Sequence, residues 1–140
     1  MNESYSPTDA GFVSYLDHET TSGPGETDVI YRQSSLPSGT IGIYQCDDNS
    51  IGSNRCDSSY ITFDKSEWNT YRNYGNRADI WQMIACHESG HSVGLTHGNY
   101  ANPPVVDSKS ELMCMRTPID FSTPSKSVGP WETWLINHTY

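Results

Sequence analysis

The stretch HESGHSVGLTH, residues 87–97, gathers three of the chain's five histidines. His87 and His91 are four apart, so on a helix both imidazoles project from one face, one turn above the other, where they can grip one metal ion. Glu88 lies beside the first of them, placed to reach a water on that metal more easily than the metal itself. Gly94 can take the left-handed conformation that ends a helix, and the chain can then turn back to deliver His97 as a third ligand. Three neutral imidazoles leave the fourth position of a zinc ion open, which is the arrangement of a catalytic site and not of a structural one. Five fixed residue types at about 5% usage each match by chance on the order of once in 10⁴ chains of this length, or more rarely. The plain alternative is a helix with two surface histidines and a glycine cap. His18 and His138 have no ligand-like spacing.

The elements that must position these residues belong to a short chain. Its 140 residues are 34% hydrophobic, enough for one domain with one thin core. Cys46, Cys56, Cys86 and Cys114 allow three connectivities. The favoured one joins Cys46 to Cys56, closing a polar loop, and Cys86 to Cys114, tying the metal helix to the segment after it. No cysteine has zinc-finger spacing, and Cys86, ~100° around the helix from His87, points away from the ligands. An even cysteine count, few lysines and a formal net charge of −9 fit a secreted, extracellular or periplasmic protein better than a cytosolic one. That charge speaks against nucleic acid and anionic membranes as partners. No apolar run is long enough to span a bilayer, and the first residues, MNESYSPTDAG, do not read as a signal peptide.

Along the chain, 12–20 is a weak strand and 21–26 a turn-rich connector. DVIYR (28–32) reads as a buried strand, TIGIYQC (40–46) as a second and YITFD (60–64) as a third. Residues 47–57 are a polar loop and 65–77 an exposed connector. Asp79 with Gln82 forms a candidate capping box for a helix running through Ile80, Met83 and Ile84 to Gly94. Residues 98–117 read as an irregular loop, and 130–140 as a C-terminal helix opened by Pro130. Asp47, Asp48, Asn49 and Asp57 make an oxygen-rich loop that lacks EF-hand spacing, so Ca²⁺ has no support beyond composition.

The pattern HExxHxxGxxH resembles that of the metzincin clan of zinc endopeptidases at every defining position. Phe63, Asp64, Glu67 and Trp68 are similar to the FDxxExW segment that the matrixin branch carries before its active-site helix. Met115, preceded by Cys114 as in small secreted bacterial relatives, resembles the methionine of the Met-turn beneath the zinc; Met113 is the alternative. The resemblance implies an α+β fold: a twisted mixed sheet, the active-site helix, and a mostly irregular C-terminal subdomain (98–140, following 1–97) that ends in a short helix. It also implies that the strand at 40–46 is an edge that pairs with an extended substrate. The chain departs from the larger families at Gly98, after the third histidine, and at Thr117, where astacin- and serralysin-like enzymes place a tyrosine. No PRCGxPD inhibitory segment is present.

The expected activity is hydrolysis of peptide bonds, with Zn²⁺ supplying the activated water and Glu88 acting as general base. Ser89 and Ser92 lie within the helix and lack the setting of a nucleophile. A zinc-bound module without proteolysis is the rival reading; the presence of Glu88, which zinc binding alone does not need, weighs against it. A side-chain pocket is expected to be walled by residues 112–120, with Thr117 and Pro118 leaving it open and apolar-tolerant. Arg116 is expected to turn outward, the alternative being an inward Arg116 that biases the pocket towards acidic side chains.

Overall fold

A computed structural model describes residues 29–48, 56, 58–71, 76–100 and 104–139. The expected strand at 12–20, the connector at 21–26, and Asn49 and Asp57 of the oxygen-rich loop lie outside these residues. The described part is a small α+β fold with a three-stranded mixed sheet and, among the described residues, three α-helices. It divides by contacts into two compact units, with the boundary between Thr70 and Tyr71.

In the first unit, strands β1 (Val29–Gln33), β2 (Gly42–Asp48) and β3 (Ser58–Phe63) stand in the order β1-β3-β2. β3 runs parallel to β1, with Val29 opposite Ser59, and antiparallel to β2, with Tyr44 opposite Ile61. As the central strand it is buried on both faces, through Ser58, Ser59, Ile61 and Thr62. β1 is more exposed than its hydrophobic reading implied. Tyr31 is open to solvent, and Arg32 lies over the Tyr60 ring at 4.0 Å while its Nε donates to Thr62 Oγ1. The expected Cys46–Cys56 disulfide is present, bridging β2 at its irregularity near Cys46 to the residues just before β3.

Residues 65–77 are not the connector the sequence suggested: helix α1 occupies Lys65–Tyr71. Asp64 starts it. Its Oδ1 accepts from the Ser66 and Glu67 amides, while Oδ2 accepts from the Leu36 amide 2.7 Å away. Those bonds, rather than desolvation, set the electrostatics of Asp64, holding its carboxyl at about 2, with the Ser66 side chain the largest contributor. Trp68 is buried. An N-cap and one buried aromatic are enough for a two-turn helix, a pattern too short to show as periodicity.

In the second unit, helix α2 (Arg77–Ser92) begins earlier than the Asp79 reading placed it. Asn76 is the N-cap, its side chain accepting from the Ala78 amide, and Asp79 instead pairs with Lys126 at 3.0 Å. Residues 98–117, read as irregular, contain 3₁₀ turns at Gly98–Tyr100 and Ser110–Met115. Helix α3 (Pro130–Thr139) starts at Pro130 as expected. The core of this unit joins Cys86 and Leu95 to Leu112, Cys114, Met115, Val128 and Ile136. The Cys86–Cys114 disulfide runs through it. By contacts, α2 therefore groups with the residues that follow it and not with the strands that precede it.

Candidate metal centre

The last two turns of α2 and the tight stop after them build the site. His87, Glu88, Ser89 and Gly90 are buried on this helix. Gly94 has φ +80, the Gly94 amide donates to His91 O, and the Leu95 amide donates to Gly90 O. This is a Schellman stop, which needs a left-handed residue and so favours glycine. It reverses the chain within five residues and returns His97 to the face that carries His87 and His91.

The candidate ligand atoms of the three histidines all lie within 4.8 Å of one another. Ring centroids are 5.0 Å apart for His87–His91, 5.1 Å for His87–His97 and 4.9 Å for His91–His97. Their orientations are held from behind. His87 Nδ1 is 2.7 Å from Cys114 O, and His91 Nδ1 is 2.8 Å from Leu95 O. A carbonyl can only accept, so both Nδ1 atoms carry the proton and each Nε2 presents a lone pair. His87 Nε2 and His97 Nε2 approach to 3.1 Å, close to the separation of about 3.3 Å that two nitrogens adopt on a tetrahedral zinc. The donor set and its spacing thus fit a single metal ion, with the backbone-anchored rings usual for metal-binding histidines.

Electrostatics point the same way. Burial pushes the His87 imidazole down to about 4, against the opposing bond to Cys114, with repulsion from His91 and His97 adding to the fall. His91 is lowered too, by burial first and His97 second. Both rings are therefore uncharged at neutral pH, the state a metal requires.

The other expected site residues fall as follows. Glu88 is buried beside His87, at 7% exposure. Met115 is fully buried in the core with Cys86 and Cys114, whereas Met113 is exposed and has φ 51, ψ −117. Ser89 Oγ and Ser92 Oγ donate to the backbone carbonyls of Ala85 and Ser89, so neither is poised as a nucleophile. Gly98, the departure noted after His97, has a packing reason: a Cβ there would stand 2.6 Å from Val105 O. Arg116 does not simply point outward; it lines a cavity together with Met83, Met113 and Cys114. The backbone carbonyls of Cys114 and Leu95 are the functional groups that residue types could not reveal, because every residue has one. No family model, curated protein or solved structure matches the chain.

Proposed function

We propose that this chain is a zinc-dependent endopeptidase of the metzincin type. The observation that carries the proposal is the convergence of three imidazoles, two of them locked by backbone carbonyls into the tautomer that offers Nε2, with a buried carboxylate at Glu88 next to the first. Zinc held by His87, His91 and His97 would supply a Lewis acid and a water nucleophile at neutral pH. Glu88 takes the proton of the attacking water and returns it to the departing amine. Met115 supports the histidine group from within the core. β2 is an outer strand of the described sheet. Two disulfides are compatible with a secreted protein, and no described helix is long and apolar enough to cross a membrane.

The test is metal analysis of the purified protein, paired with hydrolysis of casein with and without a chelator. One zinc per chain and chelator-sensitive hydrolysis are expected. Glu88→Gln should retain the zinc and the fold while losing peptidase rate by roughly 10²–10⁴-fold, since proton transfer in the transition state is lost. Stoichiometric zinc with no hydrolysis of any unfolded protein would leave a binding module as the better description.

A further inference from the structure

A cavity of about 300 Å³ is walled in part by Cys114, the residue that anchors His87. Met83, one of its walls, sits one helical turn before His87 on the same face of α2, ~6 Å along the axis. Cys114, another wall, is the residue whose carbonyl accepts from His87. Met83, Met113 and Ile119 supply the apolar lining, and Arg116, Asp120 and Thr123 the polar part.

Arg116 is the unusual member. The chain has 8 Lys and Arg against 17 Asp and Glu, so a cation facing a cavity runs against its overall charge. Arg116 Nε is buried and has no hydrogen-bond partner. The Arg116 guanidinium meets Asp120 only at 4.0 Å, with both side chains 35% exposed. Asp120 is already engaged elsewhere. Its Oδ1 accepts from the Ser122 amide and hydroxyl, and its Oδ2 from Thr123 Oγ1 at 2.8 Å. The neighbouring carboxylate therefore leaves the guanidinium with donors to spare, and a buried donor without an acceptor is costly.

We propose that this cavity receives a substrate side chain bearing a carboxylate, glutamate ahead of aspartate, and that Arg116 is the residue that selects it. The two methylenes of a glutamate lie along Met83, Met113 and Ile119, and its carboxylate reaches the guanidinium, whose planar donors match two oxygens. Aspartate, one methylene shorter, fills the apolar stretch less well. This assignment rests on the endopeptidase reading above.

The experiment is a cleavage-site profile of the zinc-loaded protein on a mixed peptide library, for the wild type, Arg116→Met and Arg116→Lys. Glutamate should be enriched at one position relative to the cleaved bond. Arg116→Met should lower kcat/KM for a glutamate peptide tenfold or more relative to its methionine counterpart, and Arg116→Lys should keep part of the preference. A wild-type profile without acidic enrichment, or one unchanged in Arg116→Met, overturns the proposal. If the wild type cleaves no peptide, the endopeptidase reading fails, and the cavity is judged separately by titrating N-acetylglutamate amide while following the Arg116 Nε–H resonance. A saturable shift that N-acetylglutamine amide does not reproduce supports the carboxylate site. No shift overturns it.

Discussion

Cys114 is tied to α2 twice: its sulfur is bonded to Cys86, and its carbonyl accepts from His87 Nδ1. Replacing Cys86 and Cys114 together by alanine should therefore cost both stability and metal affinity. The bridge spans 28 positions, and chain-entropy arithmetic for a loop of that length assigns it ~3.6 kcal/mol. The Cys46–Cys56 bridge spans 10 positions, and the same arithmetic assigns it ~2.7 kcal/mol. Against a total stability of ~5–15 kcal/mol, either loss is readily measured. Alanine avoids leaving a hydroxyl in a core where Cys86 is 0% and Cys114 2% exposed. Stability is read from guanidinium unfolding with EDTA present, and zinc affinity from competition with a chromophoric chelator. The Cys86/Cys114 variant should lose the larger stability and, with the His87 ring no longer held in place, roughly 10–100-fold in zinc affinity. The Cys46/Cys56 variant should lose stability and keep its affinity. Native zinc affinity in the first variant, or an equal loss in both, would refute the idea that this bridge positions a ligand.

Three further outcomes are expected. Gly94→Ala has open space for its Cβ but must hold φ +80, so it should cost about 1–2 kcal/mol by backbone strain alone and weaken zinc binding through the Leu95 carbonyl that holds His91; calorimetry and chelator competition check both. In the metal-free protein the folded state depresses His87 from 6.5 to about 4, so the unfolded chain takes up the proton first. Stability is then fully present above about pH 6.5 and falls as the pH drops towards 4, by about 3 kcal/mol for a shift of this size; urea midpoints in EDTA that stay flat across that window would contradict it. Asp64→Ala should lower the melting temperature by removing the cap of α1 and the partner of the Leu36 amide. The wild-type contribution of Asp64 should itself fade as the pH drops from about 3.8 to about 2, because its folded pKa is depressed.

Much of the site was legible because it is local. A four-residue spacing puts His87 and His91 on one face of any helix, Gly94 is the residue that tolerates a left-handed stop, and Pro130 suits a first turn. The two disulfides and the three strands were also readable, the strands within one or two residues at each end. α1 escaped notice because two turns carry too little periodicity and its cap, Asp64, belonged by pattern to the strand before it. The start of α2 was misplaced because Asn76 and Asp79 are both capping residues, and only the contact with Lys126 distinguishes their roles.

What the sequence alone determined, then, is the candidate ligand set and the helix that presents two of its members, since both depend on residue type and short-range geometry. The tertiary structure decided which imidazole nitrogen is free, through the carbonyls of Cys114 and Leu95, and that Met115 is buried while Met113 is exposed. It also decided that Arg116 lines a cavity with Met83 and Cys114, where burial costs had suggested an outward side chain. These are contacts between backbone groups and residues far apart in the chain. Residue identity does not encode them, because every residue carries the same carbonyl and a side chain's direction depends on what packs around it.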